Sequence, residues 1–266
     1  MRELSVRAAS GAVFAATLLL CAWWGSISTT ALFGVVTVFA AGEWHRLLIA
    51  PSGRTLLRTV LVVLGAYAAG VATAFGYDVA ASAAALVGLL LLACLAALRS
   101  GQPDSGRQFL IQVGGAALVG LPLSFATLLV VHDPLLLIGF LLLLWTNDSG
   151  AYLVGKAIGR HKLLPAVSPG KTWEGLFGGV ALAFGAAYGL AIAWPQVLPA
   201  TEWLMMALVI SLSATLGDLF ESAIKRAAGV KDSGRLMPGH GGALDRFDGF
   251  LFAAPAAYYL LEALGP

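Results

Sequence analysis

Four short stretches of the chain gather side chains that could do chemistry. The first, Trp145-Thr146-Asn147-Asp148-Ser149-Gly150, sets a carboxylate between two further oxygen donors. The second, Ser168-Pro169-Gly170-Lys171-Thr172-Trp173-Glu174-Gly175, is a Gly/Pro turn with a lysine and hydroxyls entering a helix, a combination suited to phosphate. Its Gly-Lys-Thr run invites a nucleotide-hydrolase phosphate loop, but that motif needs glycine where Pro165 stands. In the third, Asp218, Glu221, Ser222 and Lys225 recur at i, i+3, i+4 and i+7, one face of a helix, with Arg226 next to them. The fourth, Pro238-Gly239-His240-Gly241-Gly242-Ala243-Leu244-Asp245-Arg246-Phe247-Asp248, is a glycine loop followed by two carboxylates at i, i+3.

Carboxylates beside a glycine loop suit a hard divalent cation, and lysines or arginines nearby suit phosphate oxygens. Each stretch also has a plainer alternative. Asp148 could be hydrogen-bonded inside a helix bundle, and the second stretch could be a basic turn at a membrane face. The third could pair its charges along the helix, and Asp245 and Asp248 could cap a helix N-terminus. Asp218 stands apart, because it closes a long apolar run and has no cation within a helical turn.

The elements that must carry these residues are membrane helices. Of 266 residues 59% are hydrophobic and only 11% charged, too few to cover a water-soluble core of this size. Apolar runs about the length of a bilayer crossing place about nine spans near 8–24, 27–42, 57–75, 79–98, 109–131, 134–153, 175–194, 200–217 and 248–264. The expected fold is therefore an all-α, polytopic integral membrane protein. Residues 1–131 are expected to supply N-terminal helices and 132–266 a catalytic region with long loops at 154–174 and 218–247. Arg2 and Arg7 precede the first run like a secretory signal, but Trp23 and Trp24 close it without a small-x-small cleavage site, so a retained span is expected. Cys21 and Cys94 lie inside apolar runs and read as buried small hydrophobes.

With nine spans, all 16 lysines and arginines fall on one side of the membrane. By the positive-inside rule that side is the cytoplasm, which puts the N-terminus inside, the C-terminus outside and all four polar stretches at the cytoplasmic face. Ionisable groups near the hydrocarbon mark function by default.

Ser222-x-Ile224-Lys225-Arg226, then Lys231-Asp232-x-Gly234, then Pro238-x-His240-Gly241-Gly242-x-x-Asp245-Arg246-x-Asp248, resembles the signature of phosphatidate cytidylyltransferases, also called CDP-diacylglycerol synthases. Asn147-Asp148, Ser168-Pro169-x-Lys171-Thr172-x-Glu174-Gly175 and Gly217-Asp218-x-x-Glu221-Ser222 look like other blocks of the same family. Met237 and Ala243 depart mildly, where the family has other or larger aliphatic residues. The resemblance covers about residues 145–253; the first 130 residues match only as hydrophobic spans.

What the resemblance implies is a homodimeric enzyme of a bacterial-type plasma membrane that makes CDP-diacylglycerol from CTP and phosphatidate, with no nucleic-acid partner. It implies Mg²⁺, with a second cation such as K⁺. It makes Asp218 and Asp245, with Asp248, the metal-site carboxylates, and Lys171, Lys225, Arg226 and Lys231 phosphate contacts. Asn147, Asp148, Ser168, Thr172, Glu174, Glu221, Ser222, Asp232, His240 and Arg246 complete the expected substrate-binding set. His240 is expected to donate to phosphate or organise its loop rather than act as a base. Phosphatidate, with a second pKa of about 6, is largely dianionic at neutral pH and needs no strong base. The rivals are a CTP-dependent polyprenol or phytol kinase and a membrane transporter. A transporter would carry ionisable groups near mid-membrane in both halves of the chain, and the first half has almost none. A prenyltransferase is disfavoured, since Asn147-Asp148 is not followed by the second aspartate of its box.

Overall fold

The structure, a computed structural model, describes residues 2–49, 53–234 and 241–265. Among the described residues it is all-α apart from one small hairpin. Among the described residues seven helical stretches are long and apolar enough to cross a bilayer. They are α2 (Ser26–Leu48), α3 (Gly53–Ala74), α4 (Val79–Leu98), the continuous Ser105–His132, α7 (Pro134–Ile158), α8 (Trp173–Ala193) and α9 (Ala200–Ala227). Ser105–His132 comprises α5 (Ser105–Gly115), a π-helical turn (Ala116–Gly120) and α6 (Leu121–His132). The two remaining expected spans fall on α1 (Arg2–Trp24), apolar over Ser10–Trp24, and α10 (Leu244–Leu264). The polytopic all-α fold is as expected, and several helices run beyond their apolar stretch. α7 continues to Ile158 and α9 to Ala227, so that polar turns follow the hydrophobic ones without a break.

The chain forms two compact units. One comprises Met1–Val131 with Asp232–Arg246, the other His132–Lys231 with Phe247–Pro266.

In the first unit, Val62, Ala66, Ala93 and Ala116 form a core cluster against which Leu86, Leu89, Leu90, Phe109 and Leu121 pack. The π turn has a local cause. Pro122 has no N–H to continue the ladder, and Leu121 N–H bonds Ala116 O, five residues back. Polar groups inside the spans find partners, as a medium without water requires. Trp44 Nε1 donates to Ile111 O at 2.8 Å, and Tyr67 Oη donates to Thr30 O at 2.7 Å. His45 Nδ1 lies 2.9 Å from Thr59 Oγ1.

In the second unit, α7 and α8 approach closely through glycines. A Cβ built on Gly179 would lie 2.6 Å from Asn147 Oδ1 and 2.8 Å from Asn147 O, and one on Gly150 2.9 Å from Gly178 O. A Cβ on Gly178 would collide with Val154. Between helices in lipid, where apolar burial supplies little drive, such close backbone contact is the main source of attraction. Trp203 of α9 fills the space beside Gly139 of α7, where a Cβ would meet its ring. Gly217 of α9 plays the same part against α10, since a Cβ there would collide with the Asp248 carbonyl. These contacts bring the polar ends of α7, α9 and α10 together.

Candidate active site

The segment between α7 and α8 is built by three devices. β1 (Lys162–Leu164) pairs antiparallel with β2 (Ser168–Thr172), with Lys162 opposite Thr172 and Leu164 opposite Ser168. Thr172 is the N-cap of α8, its Oγ1 accepting from Gly175 N at 3.1 Å, which satisfies one of the helix's orphan donors. Glu174, in the first turn, accepts from Arg160 N at 3.1 Å, His161 N at 3.2 Å and His161 Nδ1 at 2.6 Å. The hairpin is thereby tied to the helix it feeds. Thr172 and Glu174, expected to bind substrate, serve here as local fasteners; Ser168 is half-buried on β2.

The hairpin delivers Lys171, whose Nζ lies 2.5 Å from Asp218 Oδ2 on α9. Along its own helix Asp218 has no basic neighbour within a turn; the partner comes from β2. Ser222 Oγ donates to Asp218 Oδ1 at 3.2 Å. Asp148 lies within electrostatic reach of Asp218 and Lys171, and Asp248 within reach of Asp218, Glu221 and Asp148. The second unit therefore brings aspartates of α7, α9 and α10 within electrostatic reach of one another, with Lys171 paired to Asp218 and in reach of Asp148. Asn147 Nδ2 donates to Asp148 Oδ1 at 3.4 Å, while Asn147 Oδ1 is buried against Gly179.

The next turn of α9 is different in character. Lys225 Nζ bonds Glu221 Oε2 at 3.0 Å, and both side chains are nearly buried. The i, i+4 pairing weighed from spacing is present for these two. Arg226 is exposed and donates from Nη1 to Val230 O at 3.0 Å, closing the end of α9. Lys231, Asp232 and Arg246 are exposed. His240 lies outside the described residues.

Asp245 belongs to the first unit, one helical turn before Asp248 on α10. Its Oδ2 accepts from Ser233 N and Gly242 N, both at 2.8 Å, and lies 2.9 Å from Ser233 Oγ. The glycines beside it are there for space as well as turn geometry. Gly241 has φ +80°, and a Cβ on it would lie 2.6 Å from Asp245 Oδ2.

Two residues went unrecognised in the sequence. Glu43, near the end of α2, accepts from Ala243 N and Leu244 N at 2.9 Å each and from Ser233 Oγ at 2.9 Å. Glu43 is only 4% exposed, which makes it a buried carboxylate in the half of the chain thought nearly free of them. Ser233 had stood as an unassigned position within the signature. No local spacing betrays either one, since their partners lie far away in sequence.

The candidate ligands near Asp218, the carboxylates of Asp148 and Asp248 and the Ser222 hydroxyl, are oxygens, a set suited to a hard cation such as Mg²⁺. Among the described residues no three His, Cys, Asp or Glu side chains group closely enough to hold a metal ion. The fit is thus one of donor type and of net negative charge countered at Asp218 by an ammonium.

Fold and site together define a polytopic membrane protein whose acidic and basic groups converge at helix ends. The chain belongs to the cytidylyltransferase family, whose family model matches residues 5–264. It is 49% identical over 118 residues to a phosphatidate cytidylyltransferase of Bacillus subtilis, covering 44% of this chain and 44% of that protein. It is 48% identical over 122 residues to one of Staphylococcus aureus (strain COL), covering 45% and 46%. It is 47% identical over 122 residues to one of Staphylococcus epidermidis, with the same coverage. The matched stretch spans less than half the length of these curated relatives.

Proposed function

We propose that the protein is a phosphatidate cytidylyltransferase, joining CTP to phosphatidate to give CDP-diacylglycerol and pyrophosphate. The observation that carries this is the contact of Lys171 with Asp218 amid Asp148 and Asp248, in a chain of the cytidylyltransferase family. The names of the relatives supply the lipid substrate.

A phosphatidate oxygen attacks the α-phosphorus of CTP and pyrophosphate leaves. The difficulty is charge, because two anions must meet and a third must depart. Lys171 moves from Asp218 to a phosphate oxygen when substrate arrives, since ammonium and carboxylate are already poised at the same point. Arg226 in the last turn of α9 and Lys231 just beyond it, both exposed, draw the triphosphate in, and Lys225 is held in register by Glu221. Ser222 orients Asp218. Asp218 and Asp248, with Asp245 one turn before Asp248, are the residues that would hold Mg²⁺ and a second cation such as K⁺. When bound, these ions neutralise the triphosphate and the leaving pyrophosphate.

The enzyme lies in a bacterial-type plasma membrane as a homodimer, N-terminus inside and C-terminus outside, with the site at the cytoplasmic face. The one-sided distribution of Lys and Arg supports this orientation. CTP is met there, and phosphatidate enters laterally from the bilayer. The test is purified protein in phosphatidate–detergent micelles with CTP and Mg²⁺. A lipid with the mass of CDP-diacylglycerol and an equal yield of pyrophosphate are expected. Full turnover in excess EDTA would contradict the metal role.

A further inference from the structure

We infer that Glu43 is a positioning residue for the catalytic loop, holding the start of α10 and, through the Ser233 hydroxyl, Asp245. The inference rests on the assignment of Asp245 to the active site.

The N-terminus of α10 is buried, with Ala243 3% and Leu244 2% exposed. Its first backbone N–H groups therefore cannot be left to water and need acceptors inside the protein. Glu43 supplies them from α2, Oε1 taking Ala243 N and Oε2 taking Leu244 N, each at 2.9 Å. A carboxylate in that place is also favoured by the helix dipole. Oε2 further accepts from Ser233 Oγ at 2.9 Å, and the same Oγ lies 2.9 Å from Asp245 Oδ2. One hydroxyl thus bridges the buried carboxylate to the site carboxylate, whose Oδ2 is fixed in addition by Ser233 N and Gly242 N.

The glycines agree with this. A Cβ on Gly234 or Gly242 would collide with the Glu43 carboxylate, and one on Gly241 would press on Asp245. Gly234, Gly241 and Gly242 lie against these two carboxylates and leave the room they occupy. Such a support fixes the direction of a ligand side chain without touching substrate, and removal of an outer partner of this kind typically costs about 10- to 100-fold in activity or ion affinity.

The experiment compares purified wild type, Glu43→Gln, Ser233→Ala and Asp245→Asn by kcat, KM for CTP, melting temperature and hydrogen exchange over residues 241–246. Glutamine keeps the size of Glu43 but sets an amide –NH₂ against donors. Glu43→Gln is expected to lower kcat about 100-fold with KM changed less than about threefold, and to speed exchange at Gly242, Ala243 and Leu244. A merely structural Glu43 would lower the melting temperature and leave kcat per folded enzyme unchanged, and that result overturns the inference, as does unaltered exchange. Should Glu43→Gln fail to fold, Ser233→Ala decides. It keeps both bonds from Glu43 to α10 and removes only the bridge, so kcat falls about 10-fold with melting unchanged; a wild-type kcat overturns the inference. Asp245→Asn separates the two levels. Wild-type turnover there removes Asp245 from the site and the inference with it, whereas an inactive Asp245→Asn beside a fully active Glu43→Gln sinks the positioning role alone.

Discussion

Lys171 Nζ lies 2.5 Å from Asp218 Oδ2, so a strand of the hairpin closes onto the polar end of a membrane helix. The two side chains are 25% and 37% exposed, and an ion pair that open to solvent adds only ~0–1 kcal/mol to stability. Its value is the charge it keeps at one point.

Removing either member should therefore spare the fold and damage turnover. Asp218→Asn is expected to cut kcat by at least about 10³-fold, and Lys171→Gln by about 10²-fold, the scale of lost charge stabilisation in a preorganised site. Melting temperatures should stay near wild type. Because the residues touch, the double variant should lose less than the product of the two single losses. Steady-state kinetics on the four proteins checks this, and full additivity would show that the contact is incidental.

Thr172 separates a cap from a phosphate ligand. Its Oγ1 already receives Gly175 N. Thr172→Val should destabilise the protein by about 1 kcal/mol, the usual cost of a lost N-cap, and Thr172→Asp should largely restore it. Thermal unfolding in detergent reads both. Stability unchanged in Thr172→Val would remove the cap role.

Glycines on α8 should divide sharply by position. Gly179→Ala sets a methyl 2.6 Å from Asn147 Oδ1 and 2.8 Å from Asn147 O, forcing α8 away from α7 at a cost of about 1–3 kcal/mol. Gly185→Ala and Gly189→Ala, on the same helix, meet nothing within 4 Å and should be neutral or stabilising by up to about 1 kcal/mol. Equal effects at the three positions, again by thermal unfolding, would contradict the close packing of α7 on α8.

Hydropathy read the spans well because an apolar run must be long enough to cross lipid. It read their ends poorly. The apolar run ends at 217, whereas α9 continues to Ala227 and carries Asp218, Glu221 and Lys225 on the extra turns. The Glu221–Lys225 pair was visible as an i, i+4 spacing, since both partners lie on one helix. The Lys171–Asp218 contact and the role of Glu43 were not, because each joins elements remote in sequence. Glu43 falls just beyond the apolar run over 27–42 and looks like an ordinary boundary residue until α10 is set against it. Around Glu43 and Asp245, Gly234, Gly241 and Gly242 serve to make room, which glycine content alone does not assign to particular carboxylates.

This acidic and basic site is proposed to transfer a cytidylyl group from CTP to a lipid. Purified protein in phosphatidate micelles, given CTP labelled in turn at the α- and γ-phosphorus, tests it most directly. The α label should enter the lipid and the γ label should leave as pyrophosphate, with both falling to background in Asp218→Asn. Lipid carrying the γ label alone, or α-label transfer undiminished in Asp218→Asn, would contradict the account.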